Sequence, residues 1–375
     1  MGAGVCPLSS PFSVEASNLL HGRSQAFVTA FEDATRAPES FDALACDLAR
    51  HQAASGYGRL SEALGVDLSC LSRADQIPAI PAEAFKHTRI AAHDAALDTA
   101  IFRSSGTIGQ GRGAHFFRHT RTYDRGALAF AHAALSPHLG SRFPVLVLGP
   151  PPHEMPDSSL THMLSTFVSA FDDHPVTDER FFLRGDTFDL SALDEAIARA
   201  YVQSAPIFLA GTSFAFVHLL DALDGISISL PPGSIVMQTG GFKGRSRVVE
   251  AEELRSQLAS LFCLPERSII AEYGMTELSS QGWEGPLFSC DLPHGTYVLP
   301  PWMRVDAADP ATLAPLPAGQ TGIARVTDLL SVDSAVVVQT ADLVTVTPEG
   351  VALHGRAPGA APRGCSIAID ELLGS

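Results

Sequence analysis

The chain has 375 residues, 46% of them hydrophobic and 18% charged, a globular composition rather than a disordered one. Its formal net charge of -16 excludes nucleic acid as the main partner, because no basic surplus exists to neutralise a phosphate backbone. No apolar stretch approaches the roughly 20 residues that span a bilayer. The start, MGAGVCPLSS, lacks the basic and apolar regions of a signal peptide, and Cys6 stands where a myristoylation signal wants Ser or Thr. A cytoplasmic location is therefore expected.

The first ninety residues read as helical. FSVEASNLLHGRSQAFVTAFEDATRA and SFDALACDLARHQAAS place apolar residues at three- and four-residue steps. The prolines of IPAIPAEAFKHTRI break that pattern. IFRSSGTIGQGRGAHFFRH follows, a run of glycine, serine and threonine between an apolar stretch and a predicted helix. Strands are then predicted at 143–149 (FPVLVLG), 205–211 (APIFLAG), 234–240 (SIVMQTG) and 268–274 (SIIAEYG). Helical patterns such as LSALDEAIARAYVQ and VVEAEELRSQLASLF alternate with them, and such alternation implies a sheet covered by helices. From about Gly295 the texture becomes β-rich: TYVLPPWMRVDAAD, TGIARVTDLL, SAVVVQTADLVTV and GVALHGR. Two domains are expected, an α/β core over 1–294 and a β-rich subdomain over 295–375 that ends in a cysteine-bearing tail.

Each predicted strand ends in glycine, and ligands of open α/β sheets bind at the carboxyl ends of the strands. In Ser104–Gly113 the backbone amides and the hydroxyls of Ser104, Ser105 and Thr107 suit phosphate; an ordinary flexible turn is the alternative. Thr276 and Glu277 set a hydroxyl beside a carboxylate directly after a strand, a pairing suited to phosphate and Mg²⁺; the alternative is a helix start capped by Thr276. Phe214 and Phe216 of GTSFAFVHLL are expected to line a pocket at the strand-end crevice; Thr212 or Ser213 capping a core helix is an equally good reading and does not exclude it. Among 25 basic residues only Lys86 and Lys243 are lysine. Lys243, in GGFKGRS, is a catalytic cation or a solvated surface lysine, while Lys86 reads as structural, pairing with an acidic neighbour. No HExxH or close metal triad occurs among the fourteen histidines, which read as ordinary polar or capping residues. His153 and Ser158–Ser159 carry no assigned role. The six cysteines form no CxxC, which supports neither a zinc site nor a redox pair, and most are expected as buried free thiols. Cys365 is the exception. It follows Gly364 in PRGCS, where Arg363 favours the thiolate and the glycine permits close approach; an inert thiol in a turn is the alternative.

Taken in order, SSGTIGQGRG, EYGMTE, TAD (340–342) and GR (355–356) resemble the phosphate loop, the Tyr-Gly-x-Thr-Glu motif, the ribose-binding motif and the hinge of the adenylate-forming superfamily. The departures are Ile108, Arg112 and Ala341. IPAIPAEAFK, PDSSLTHM, GTSFAF, QTGGFKGRS and GRAPGAAPRGCSIAIDEL narrow the resemblance to the acyl-protein synthetases of bacterial luminescence operons, the LuxE type. The resemblance implies an adenylate-forming α/β core in which sheets are flanked by helices. Because only nineteen residues follow Arg356, the usual mobile C-terminal domain is expected to be absent. It implies ATP and Mg²⁺ as cofactors and a fatty or other carboxylic acid as substrate. Ser104, Ser105, Gly106, Thr107, Gly109, Arg112, Gly240, Gly241, Tyr273, Gly274, Asp342 and Arg356 would hold the nucleotide, and Glu277 the metal. Thr276, Lys243 and Cys365 would be catalytic, with Cys365 receiving the acyl group for delivery to a reductase. The alternatives are a ligase that acylates coenzyme A or a carrier protein, and a catalytically dead binding subunit.

Overall fold

A computed structural model describes residues 12–104, 111–174, 177–185, 187–240 and 249–357. The chain divides into two compact units. One comprises residues 1–126, 276–280 and 299–375; the other comprises 127–275 and 281–298.

The second unit holds the four strands expected from the glycine-terminated apolar runs. Val145–Leu148, Phe208–Thr212, Ile235–Thr239 and Ile269–Tyr273 lie side by side and pair in parallel. Their apolar runs are nearly continuous because both faces are covered, the usual condition of a parallel sheet. Gly282–Glu284 and Thr296–Val298 extend the sheet antiparallel. On one face, helices Leu190–Gln203, Ser213–Leu223 and Ala251–Phe262 contribute Ile197, Phe216, Leu219, Leu258 and Phe262 to the core. An aromatic group gathers elsewhere in this unit, with Phe167 stacked near Trp283 and Phe143 against Phe171. Helix starts are fixed by side-chain caps: Asp189 accepts from Ala192 N–H, Thr212 from Ala215 N–H and Ser158 from Thr161 N–H. Ser158 of PDSSLTHM is thus a helix cap. Phe216, expected to line a pocket, is fully buried and meets the Phe262 ring edge-on.

The first unit combines the amino-terminal helices with the β-rich end of the chain. Helices Val14–Glu32 and Phe41–His51 follow serine caps, Ser13 and Ser40. Strands Met303–Ala308, Thr321–Asp328, Val337–Thr347 and Gly350–Arg356 form an antiparallel meander, and Ile80–Pro81 adds in parallel to Val337–Thr347. A separate hairpin pairs Ala100–Arg103 with Ala114–Phe117. The glycine-rich run therefore connects two strands rather than a strand and a helix, and the next helix begins only at Arg121. The cause lies in Ala114–Phe117, whose alternating burial is the period of a half-buried strand.

The connection from Asp328 to Ser334 is buried throughout and mostly polar, so its side chains must find partners. Asp333 accepts from Ser17 Oγ at 2.7 and 2.9 Å, sits 3.1 Å from His21 Nε2 and 3.0 Å from His51 Nε2, and meets Arg118 Nε at 3.3 Å. Burial by itself would raise its pKa, but the hydrogen bonds from His21, His51 and Ser17 prevail and hold the carboxyl far below the usual range. Gln52 bonds the carbonyls of Ser331 and Val332 and the amide of Val336, and Tyr57 bonds Val337 twice. The helices are thus anchored by polar side chains reaching into the β-rich end.

The cysteine expectation requires correction. Among the described residues Cys46 is buried, but Cys70, Cys263 and Cys290 are exposed. Cys263 ends the helix Ala251–Phe262 in a left-handed conformation (φ 55), and Cys70 lies in a surface turn against Asp67.

The Asp333 cluster predicts a graded stability loss. Asp333→Ala leaves the half-buried Arg118 without its counter-charge and should cost about 3–5 kcal/mol, whereas Ser17→Ala removes a donor to Asp333 and an acceptor for Arg118 and should cost about 2 kcal/mol. Urea unfolding of the two variants measures both. Equal losses would mean that the cluster is not organised around the carboxylate.

Candidate active site

In the first unit the glycine-rich loop is closed at its base by its own ends. Ser104 N–H donates to Gly113 O at 2.9 Å, and Gly113 N–H donates to Ser104 Oγ at 2.8 Å. Arg112 Nε donates to Ser104 O at 2.8 Å, and its Nη2 lies 3.3 Å from Arg103 O. The Arg112 guanidinium therefore staples the loop base through backbone carbonyls. Of the expected phosphate residues, Ser105, Gly106, Thr107 and Gly109 lie outside the described residues.

Glu277 packs on the base of that loop. A side chain at Gly113 would place its Cβ 3.1 Å from Glu277 Oε1 and 3.3 Å from Ser104 Oγ, so the glycine is what lets the carboxylate approach. Glu277 itself is buried, while Thr276 is half-buried. Residues 276–277 form a turn and start no helix, which removes the reading of Thr276 as a helix cap. His115, two residues after Gly113, sets Nδ1 2.8 Å from Thr276 O. A carbonyl only accepts, so Nδ1 carries the proton. Burial pushes the His115 imidazolium down to about 4, against the smaller opposing pull of the Thr276 carbonyl, and the ring is neutral. His115 also lines a small pocket with His21, Arg118, His119, Thr122 and Asp333, roomy enough for about one water.

Asp342 and Arg356 come together as neighbours on paired strands. They are register partners beside an irregularity in the ladder, with Arg356 Nε 3.7 Å from Asp342 Oδ1. The backbone N–H of Asp342 donates to Thr340 Oγ1 at 3.0 Å. The ladder irregularity turns the strand at this point. Lys86, also in this unit, pairs with Glu83 at 2.9 Å, as expected of a structural lysine.

In the second unit the ends of the parallel strands carry a polar ladder. Ser213 Oγ donates to Gln238 Oε1 and, at 2.9 Å, to Gly240 O. Thr239 Oγ1 donates to Glu272 at 2.5 Å. Glu272 is wholly buried, and burial raises its pKa to about 7 against the pull of the Thr239 hydroxyl. Its carboxyl curls over Gly274, where any Cβ would come within 2.2 Å of Oε1. Tyr273 is half-buried, its ring 5.8 Å from that of Tyr297. Gly241 and Lys243 lie outside the described residues, as does Cys365.

Reading the sequence motifs missed His115 and Glu272. A period-two reading after Gly113 points His115 to the same face as the glycine. No pattern in the sequence marks Glu272 as protonated, because burial alone makes it so. Among the described residues no group of three His, Cys, Asp or Glu is placed to hold a metal. Mg²⁺ takes one or two carboxylates together with phosphate oxygens and water, and the buried Glu277 carboxylate at the base of the glycine-rich loop fits the carboxylate part of that donor set.

Matching against family models aligns residues 42–373 with the family described as acyl-protein synthetase, LuxE. No curated protein matches the chain in sequence. Among solved structures it is similar to an open conformation of 2-hydroxyisobutyryl-CoA ligase in complex with 2-HIB-AMP and CoA. The identity there is 15%, the match covers 89% of this chain and 75% of the ligase, and the TM-score is 0.54. The same ligase in its postadenylation state with 2-HIB-AMP gives 16% identity, 93% and 68% coverage, and a TM-score of 0.54. ATP-bound MatB from Rhodopseudomonas palustris gives 16% identity, 70% and 49% coverage, and a TM-score of 0.45. The chain spans about half the length of that MatB structure. The ligase likeness establishes an adenylate-forming fold.

Glu272 predicts a pH signature. The folded protein holds its proton more tightly than the unfolded chain, so the stability it contributes is fully present in acid and is lost as pH rises through about 7. Glu272→Gln should therefore flatten the fall in unfolding temperature between about pH 5 and about pH 8, a window worth about 3 kcal/mol at most. Parallel curves for the two proteins would show Glu272 ionised and paired in the fold.

Proposed function

The chain belongs to the acyl-protein synthetase family LuxE, and from that premise we propose that it activates a carboxylic acid with ATP and carries the acyl group on its own Cys365. The acid carboxylate attacks the α-phosphorus of ATP, the bond to the β-phosphate oxygen breaks, and pyrophosphate leaves. The Cys365 thiolate then attacks the acyl carbon of the mixed anhydride, and AMP leaves with the electron pair of the broken bond. Two displacements replace one difficult condensation. The substrate is of the fatty-acid class and the thioester goes on to a reductase, as in the luminescence systems that the sequence resembles. In a reducing cytoplasm Cys365 stays available as a thiol.

The observation that carries this reading is the close approach of the Glu277 carboxylate to Gly113, whose N–H donates to Ser104 Oγ at the base of the loop. A loop of amides and hydroxyls with a buried carboxylate at its base suits a metal–phosphate group. Mg²⁺, when bound, offsets the negative charge that gathers on the phosphates. Glu277 is the residue to hold it. The Ser104–Gly113 loop would hold the departing phosphates, and Thr276 would donate to the α-phosphate. Tyr273 would stack on the base, with Gly274 giving it clearance. Asp342 would accept from the ribose hydroxyls, with Arg356 fixing its orientation. Gly240 and Gly241 would flank the nucleotide, and Lys243 would supply the cation to the reacting oxygens. Cys365 lies nine residues after Arg356, a tether of at most about 30 Å when extended.

Three variants test the reading by acid-dependent ATP–pyrophosphate exchange. Glu277→Gln should abolish exchange in a folded protein, because a charged metal ligand is worth several kcal/mol in the transition state. Exchange near the wild-type rate would remove Glu277 from the metal. Lys243→Ala should lower turnover by orders of magnitude with ATP binding kept, and Lys243→Arg should restore it only in part. Lost ATP affinity with turnover kept would point to ground-state binding. Cys365→Ser should keep exchange but retain no hydroxylamine-labile acyl group. A labile group that persists would mean that another cysteine is the carrier. Transfer to coenzyme A without self-acylation would make the chain an acid–CoA ligase, and wild-type protein without exchange would make it a binding subunit.

A further inference from the structure

His115 has a place in the fold that its local sequence does not require. It lies at the centre of the short strand Ala114–Phe117, 1% exposed, with its ring 4.1 Å from that of Phe117 and 5.8 Å from that of Phe85. An apolar residue would fill such a position without burying a polar ring. The ring is tolerated because Nδ1–H reaches the Thr276 carbonyl at 2.8 Å. Gly113 lies on the same face of the strand, two residues earlier, and makes room for Glu277 Oε1. One strand edge thus meets both members of the Thr276–Glu277 pair, one through a hydrogen bond and the other through the absence of a side chain. The pair itself sits in a turn, where no helix or strand ladder holds it. What fixes its carbonyl relative to the glycine-rich loop is the imidazole at the loop's end.

We propose that His115 is a positioning residue for adenylation, which holds the Thr276–Glu277 turn in register with the base of the glycine-rich loop by donating Nδ1–H to the Thr276 carbonyl. The proposal rests on the adenylation reading given above. His115 touches no reacting atom. It acts through the Thr276 hydroxyl and the Glu277 carboxylate, whose placement decides how well the α-phosphate and its metal are met. A misplacement of about 1 Å in such a group lowers turnover about 100-fold.

The geometry of the donor provides the test. Asparagine carries an N–H near the position of histidine Nδ1, glutamine carries one nearer to Nε2, and leucine carries none. His115→Leu and His115→Gln should lower kcat for acid-dependent ATP–pyrophosphate exchange by about 100-fold, with KM for ATP little changed. His115→Asn should recover most of the loss. Thermal unfolding of each variant accompanies the kinetics. If His115→Leu does not fold, the Asn and Gln variants decide the matter between them. Glutamine as active as asparagine, an inactive folded asparagine variant, or a loss confined to KM would overturn the proposal while leaving the adenylation reading intact. Wild-type protein without exchange would overturn both.

Discussion

The buried connection from Asp328 to Ser334 is the constraint on which the first unit depends. Its two carboxyls show how burial is resolved in opposite ways. Asp328 accepts from Ser279 N–H, Ser280 Oγ and Leu330 N–H, yet burial prevails and its pKa is raised. Asp333, five residues on, meets Arg118, His21 and His51, and its pKa is driven down. At Asp328 the hydrogen bonds offset only part of the desolvation, whereas at Asp333 the bonds from His21, His51 and Ser17 together reverse it. Ser279 and Ser280 follow Glu277 by two and three residues, and Ser331 Oγ donates to Ser279 Oγ at 3.1 Å. The polar connection thereby reaches the Thr276–Glu277 turn from its far end, while His115 and Gly113 meet it from the other.

Burial shifts one titratable group in each unit toward its neutral form. His115 is deprotonated down to about 4, and Glu272 keeps its proton to about 7. Both shifts come first from burial. His115 consequently works as a fixed dipole. A triphosphate would find its compensating charge in Lys243 and Mg²⁺, with backbone amides adding partial charge. Neutral, preorganised groups need no reorientation when charge develops at the reacting phosphorus.

The parallel strands were legible because period and punctuation agree: continuous apolar runs closed by glycine and separated by helical patterns. Val145–Leu148 and Ile269–Tyr273 fall inside the spans expected of them. The glycine-rich run was misread at its far end, since His115 interrupts the apolar alternation of a strand only four residues long. Phe216 is one of two phenylalanines in a mainly apolar helix, and nothing local distinguishes a core phenylalanine from a pocket one. The place of Glu277 shortly after the strand Ile269–Tyr273 was legible. The anchoring role of Asp333 was not, because its partners lie roughly 200 to 300 residues away in sequence. Long-range polar contacts of that kind leave no periodic trace.

What separates self-acylation from transfer to a diffusible thiol is where the acyl mass comes to rest. The most direct measurement is intact-protein mass spectrometry of the wild-type chain after incubation with Mg-ATP and a panel of fatty and aryl acids. The account predicts a mass increase equal to the accepted acid less one water. That increase should be ATP-dependent, removed by hydroxylamine and mapped by peptide analysis to Cys365. An adenylate that forms and turns over while the protein mass never changes would contradict it.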